Sequence, residues 1–318
     1  MRPAAAPKPA PFREQAAGQP DTVRRITSLM RGFSLEATHL RAADLDGLKA
    51  ALPIRTAIYL TAVPGKPASE LVQSAAQVRA VGFEPVPHLA VRNLPSAAAL
   101  DDLLASLSAQ AAVRRVLVIA GDRDRSEGPY NSALEVIESG LLQRYGIAEV
   151  GIAGHPQGHP RISPEVLHRA LLAKIEAAGQ TGLRLHTVTQ FAFDAGAILS
   201  WVRRLRDLGI EHPVRIGMAG PGSLSTLLRY AQRCGVRASA QGLTRQSGLI
   251  KHLIGTSAPD GIIRPLAEAC SEGGLGQVAP HFYSFGGAAA TARWAAAVAM
   301  GRIVLDRTEG FGVEPPAQ

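Results

Sequence analysis

Cysteine is almost missing from this chain: Cys234 and Cys270 are the only two among 318 residues. Two thiols build neither a disulfide framework nor a four-ligand structural zinc site, and they read as reduced, apolar fillers in a cytosolic protein. Aromatics reach only 5% of the residues, and no zinc knuckle, aromatic RNA platform or helix-turn-helix pattern is present. No apolar run attains the roughly 18 to 20 residues that cross a bilayer. The first stretch, MRPAAAPKPAPFREQAAGQPD, lacks the continuous apolar segment of a secretory signal and reads as a Pro/Ala-rich flexible tail over residues 1–21. Several catalytic signatures are also missing. There is no G-x-S-x-G for a serine nucleophile, no H-x-H or H-E-x-x-H for a metal, and no G-x-G-x-x-G opening the first helix. Nucleophilic hydrolysis and dinucleotide binding of the doubly wound kind therefore lack support, and no metal is expected.

What is present is a chain with 46% hydrophobic and 19% charged residues, enough apolar surface for a folded domain and too much for wholesale disorder. The formal charge is +8, yet the arginines are scattered, and solvated helix faces account for most of them. A polyanionic small molecule suits such an excess at least as well as a nucleic acid does. Neither a nucleic acid nor a membrane is expected as a partner.

Short β-rich runs alternate with longer helical patterns. The runs are GFSLE (32–36), TAIYLT (56–61), EPVPHL (84–89), RRVLVIAG (114–121), EVGIAG (149–154), LRLHTVTQF (183–191), PVRIGM (213–218) and HFYSF (281–285). Between them, SPEVLHRALLAKIEAAG carries a 3.6-period apolar stripe behind a Ser-Pro-Glu start. Eight strands each followed by a helix imply parallel strands with right-handed crossovers. The even spacing predicts a single (β/α)8 barrel over residues 22–318 in preference to an open doubly wound sheet. Ala-rich AAATARWAAAVAM (288–300) leaves room for packing between subunits in a homo-oligomer.

A barrel gives function an address, because its sites lie on the loops after the strands' C-terminal ends. Polar residues stand there in most of the runs: Glu36, Thr61, His88, Asp122, His155 and His159, Gln190, and His281 with Tyr283. Each has a bland alternative as a cap, a solvated loop residue or a satisfied core group. Their coincidence at one rim favours a site. The ten residues GIAGHPQGHP (151–160) hold more Gly, Pro and His than a turn needs, and they read as a loop that holds a ligand.

These same residues carry a resemblance to the methylenetetrahydrofolate reductase family. FSLE resembles the family's SFEFFPP segment, PVPHL its APHLT, VLVIAGDRD its ALRGD, GIAGHPQGHP its VAGYPEGHP, HTVTQFAFD its ITQFFFD, and HFYSF its FHFYTLN. The six segments keep the family's order from about residue 28 to 305. The resemblance implies a flavin-dependent (β/α)8 barrel that interconverts 5,10-methylenetetrahydrofolate and 5-methyltetrahydrofolate through FAD, with NADH or NADPH as co-substrate. It implies catalytic roles for Glu36, as general acid, and Asp122. It implies flavin contacts from Thr61, His88, Asp122, His155, His159 and Lys174, and substrate contacts from Gln190 and Tyr230. Two other readings stand beside it: a pterin-binding barrel methyltransferase without flavin, and a non-catalytic RNA-binding protein.

Overall fold

A computed structural model describes residues 19–234, 256–307 and 310–314; most of the expected tail lies outside them. Eight parallel strands close into a barrel: β1 (Ser34–Ala37), β2 (Ala57–Leu60), β3 (Glu84–Ala90), β4 (Arg115–Ile119), β5 (Glu149–Gly154), β6 (Arg184–Thr189), β7 (Val214–Ala219) and β8 (Val278–Tyr283). β1 pairs with both β2 and β8, and the eight follow one another in chain order around the ring. The expected (β/α)8 architecture is the one observed.

The alternation of side chains along each strand explains the two layers. In β2, Ile58 and Leu60 join the main apolar core against the helices, while Ala57 and Tyr59 face the barrel axis. In β4, Val116 and Val118 point outward and Leu117 inward, as the two-residue period of a strand requires. The outer layer is helical: α1 (Gln19–Leu29), α2 (Ala42–Ala51), α3 (Ala68–Ala80), α4 (Ala97–Ala111), α5 (Ala133–Glu138), α6 (Leu141–Arg144), α7 (Pro164–Gln180), α8 (Ala195–Asp207), α9 (Leu224–Arg233), α10 (Asp260–Glu272) and α11 (Ala288–Ala299). Several helices begin as the sequence announces. Ser163 caps α7 by accepting from the Val166 N–H, with Pro164 at the first position, and Asp194 caps α8 through the N–H groups of Gly196 and Ala197. The alanines of α11 are largely buried within the chain, where Ala288, Ala292, Ala295 and Ala296 let that helix pack closely inside the outer layer.

Most strand boundaries shift by one to three residues from the sequence reading, and the shifts in the last strand and in β6 bear on the site. β8 begins at Val278, three residues before HFYSF, because Val278 pairs with Val214 and Pro280 sits in register with Ile216. Ser284 and Phe285 have already left the sheet. β6 ends at Thr189, so Gln190 and Phe191 belong to the loop, although the Gln190 N–H still donates to the Gly154 carbonyl at 2.8 Å.

Candidate active site

A polar column runs along the barrel axis beside the apolar Ala57, Val86, Leu117 and Val188, where such folds commonly hold branched aliphatic side chains. Tyr59 stands at its centre and meets three imidazoles edge-on: His281 at 4.6 Å between ring centroids, His186 at 6.1 Å and His88 at 6.2 Å. The Tyr59 hydroxyl lies 2.7 Å from His186 Nε2. Burial pushes the Tyr59 hydroxyl up to about 12, so it stays protonated. On the far side of His186, Nδ1 lies 2.9 Å from Glu149 Oε1, a close contact without linear hydrogen-bond geometry. Glu149 also pairs with Arg115 at 2.9 Å. Burial alone would raise the Glu149 carboxyl, but His186 and Arg115 together pull it down to about 2. Gly151 makes room for this arrangement: a Cβ there would come within 2.7 Å of His186 Nε2 and 3.0 Å of Leu117.

Above this column, at the C-terminal end of β1, sits Glu36. Its Oε1 accepts from the Thr61 hydroxyl at 3.2 Å. Its Oε2 lies 3.4 Å from the Nε2 of His281 and 3.4 Å from the Nε2 of His88. The geometry suits a long hydrogen bond to His281 but none to His88, whose Nε2 is buried without a partner. Burial pushes Glu36 above the usual carboxylate range and outweighs the opposing pull of His88 and Thr61. Burial likewise lowers His88. Both shifts favour the neutral forms of the two groups.

Glu36 opens into a cavity of about 350 Å³, lined also by Thr38, Arg41, Tyr230, Tyr283 and Phe285. Tyr230, from α9, stacks flat on Phe285. Phe285 in turn packs on Phe191 and Tyr283, so a wall of aromatic faces stands beside a carboxyl that burial raises. Gln190 adjoins this wall through its neighbour: its Oε1 accepts from the Phe191 N–H at 3.0 Å.

A second group of expected residues gathers at the same rim, around β4, β5 and α7. His155 and His159 meet edge-on at 5.5 Å. Burial, then the charges of His159 and Lys174, lower His155 to about 4. Burial lowers Lys174 to about 8, and among the described residues no carboxylate pairs with it. Asp122 follows Gly121, which takes a left-handed φ of 90° to turn the chain out of the strand. Asp122 is exposed, and its charge opposes the lowering of His159.

The structure therefore distributes the expected residues over two places. Glu36, Thr61 and His88 form one contact set, which Tyr230 joins across the cavity. His155, His159, Lys174 and Asp122 form the other. His88 is only 4% exposed, and its imidazole faces Glu36. Sequence reasoning assigned no role to Phe285, Tyr59, Ser34 or Arg215. Among the described residues no His, Cys, Asp and Glu side chains are grouped as metal ligands, and no helix is long and apolar enough to cross a membrane.

A closed parallel (β/α)8 barrel with a buried acid beside an aromatic wall at its C-terminal rim defines the class. Comparison with known proteins gives the family: the family model described as "Methylenetetrahydrofolate reductase" matches residues 58–248. The chain belongs to the methylenetetrahydrofolate reductase family. Among curated relatives, "Methylenetetrahydrofolate reductase (NADH) 1" of Arabidopsis thaliana is 25% identical over 173 residues, which are 50% of this chain and 28% of the relative. The match thus spans little more than a quarter of that relative's length. Among solved structures, an uncharacterized protein from Clostridium thermocellum described as binding two copies of 5-methyl-5,6,7,8-tetrahydrofolic acid shares the fold. It has a TM-score of 0.54 and 13% identity, covering 87% of this chain and 96% of that one.

Proposed function

We propose that this chain is a flavin-dependent methylenetetrahydrofolate reductase, interconverting 5,10-methylenetetrahydrofolate and 5-methyltetrahydrofolate. The observation that carries the reading is Glu36: a carboxyl raised by burial, lining a cavity walled by stacked aromatic rings, in a chain of this family. A pterin is a flat, polar heterocycle, and such a wall offers it a stacking surface. Opening the five-membered ring of methylenetetrahydrofolate leaves electrons on N10 that need a proton. Glu36 supplies it as general acid and then, as a carboxylate, favours the iminium cation at N5. Thr61 and His281 hold the carboxyl for that transfer. The amide nitrogen of Gln190 makes no hydrogen bond among the described residues and is available to the pterin edge.

The second cluster fits FAD. An ammonium lowered by burial and left without a carboxylate partner awaits an anion, and Lys174 is such a group, with His155 and His159 beside it. The Oε1 of Gln157, in the same loop, is buried without a hydrogen-bond donor. Lys174, His155 and His159 would hold the diphosphate, with Thr61 and Asp122 nearer the ring system. The chemistry that FAD supplies there is carriage of a hydride from NADH or NADPH to the folate. Asp122 places negative charge at that rim, which disfavours an anionic ring and so tunes hydride donation.

The test is direct: full-length protein purified with added FAD should hold a yellow chromophore and reduce methylenetetrahydrofolate with NADH or NADPH as donor. Protein that binds folate but neither takes up FAD nor oxidises either nicotinamide refutes this reading in favour of a flavin-free pterin barrel.

A further inference from the structure

Beneath Glu36 the structure holds a set of hydrogen bonds that can run in only one direction. Arg215, on β7, donates from Nη1 to the Ser34 hydroxyl oxygen at 3.1 Å and to the Gly32 carbonyl at 3.1 Å. A guanidinium has no acceptor, so Ser34 must use its own O–H elsewhere. Ser34 is fully buried, and the remaining partner within reach is His281 Nδ1, at 2.9 Å. A Ser34 O–H donated there requires an unprotonated Nδ1. A neutral imidazole then carries its hydrogen on Nε2, the nitrogen that faces Glu36 Oε2 at 3.4 Å. The opposite tautomer would leave the buried Ser34 O–H without an acceptor, which costs about 1–3 kcal/mol.

We propose that Arg215, Ser34 and His281 form a directed relay that fixes His281 as an Nε2–H donor to Glu36 Oε2, making His281 the positioning residue of the acid. The proposal rests on the reading of Glu36 as general acid. With Oε2 taken by the imidazole N–H, the transferable proton sits on Oε1, the oxygen that meets Thr61. When that O–H bond breaks, the proton goes to the substrate nitrogen and the electron pair stays on the carboxylate. The charge so formed is met at Oε2 by the His281 N–H and at Oε1 by the Thr61 O–H. His281 itself gives up no proton: burial and then the neighbouring Arg215 charge lower it to about 3, so it is a fixed dipole.

Other groups bear on Glu36. His88 faces it from β3, Tyr283 adjoins it from β8, and Tyr59 lies below from β2. None of these reproduces the donor at Oε2, because His88 lacks the angle and both phenols stay protonated with other acceptors: the Tyr59 hydroxyl lies against His186, and Tyr283 donates to the Thr189 carbonyl.

The deciding experiment is NMR of the full chain labelled with ¹⁵N-histidine, with the His281 signals assigned by their loss in His281→Gln. The relay predicts a protonated Nε2, a bare Nδ1 and no titration between pH 5 and 8. A proton on Nδ1, or a titration in that window, overturns it. A second reading uses the carboxyl ¹³C shift of Glu36 against pH. Ser34→Ala and His281→Leu should each move the Glu36 titration upward by about one pH unit, because a hydrogen bond to the charged form is lost. His281→Gln, which keeps a donor near Nε2, should restore it. An unmoved titration in both Ser34→Ala and His281→Leu contradicts the proposal. Neither measurement needs turnover, so failure of the relay is distinguishable from failure of the reductase reading. If Ser34→Ala does not fold, the tautomer in the unaltered protein still decides.

Discussion

Tyr230 lies flat against Phe285, with ring centroids 4.1 Å apart and planes 11° from parallel. The pair forms one wall of the cavity that Glu36 floors, and it joins α9 to the loop after the last barrel strand. A planar ligand entering this cavity meets an aromatic face already held by a second ring. Tyr230→Ala should weaken folate binding by roughly 2- to 12-fold, from the loss of an aromatic contact of about 0.5–1.5 kcal/mol. Tyr230→Phe should bind as the unaltered protein does. Equilibrium titration with 5-methyltetrahydrofolate checks both, and an unchanged Kd in Tyr230→Ala would place the pterin elsewhere.

Glu36→Gln removes the proton and keeps the shape. Flavin reduction by NAD(P)H should survive, while reoxidation by methylenetetrahydrofolate should slow by about 10²- to 10⁴-fold. Stopped-flow measurement of the two half-reactions separates them. The pH dependence has a definite sign. Burial raises the Glu36 carboxyl, so the acid form persists above the ordinary glutamate range, and the folate half-reaction should fall as pH rises through that raised value.

Lys174 is lowered from 10.5 to about 8 by burial. A lysine depressed in the folded state weakens the fold below its folded value, and stability is recovered as pH rises from about 8 towards 10.5. Lys174→Met should therefore raise the melting temperature of FAD-free protein at pH 7 by a few degrees. The same change should weaken FAD binding by about 10- to 100-fold, the worth of one charge-assisted hydrogen bond. Calorimetry and flavin titration together check the pair of effects. Loss of stability with unchanged FAD affinity would assign Lys174 to the scaffold.

Glu149 shows the opposite linkage. Its carboxyl is pulled from 4.5 to about 2 by His186 and Arg115 against the effect of burial. The stability this contributes is full above pH 4.5 and is lost as pH falls from there towards 2. A shift of that size corresponds to at most about 3 kcal/mol. Glu149→Gln should be less stable at pH 7 and should show a flatter decline below pH 4.5, as read by denaturant unfolding at several pH values.

The repeating strand and helix pattern, and the polar residues closing each run, were readable because they are local: period-two alternation, Ser-Pro-Glu caps and glycine turns occupy a few consecutive residues. The column inside the barrel was not. Tyr59 and His186 are separated by 127 residues and Ser34 and His281 by 247, and no local period announces such pairs. His88 illustrates the difference. Its place at a strand end is legible, but only the closed ring shows that its imidazole faces Glu36 and Tyr59. The run HFYSF places Phe285 in a strand. The register of β8 with β7 ends the sheet at Tyr283 and frees Phe285 to build the cavity wall.

The measurement that bears most directly on the central claim is anaerobic: FAD-loaded protein is reduced with NADH or NADPH, then mixed with 5,10-methylenetetrahydrofolate. The flavin should be bleached by at least one nicotinamide, its absorbance should return on adding the folate, and 5-methyltetrahydrofolate should form stoichiometrically. A flavin that bleaches but stays reduced in the presence of the folate, with Glu36 intact, would contradict it.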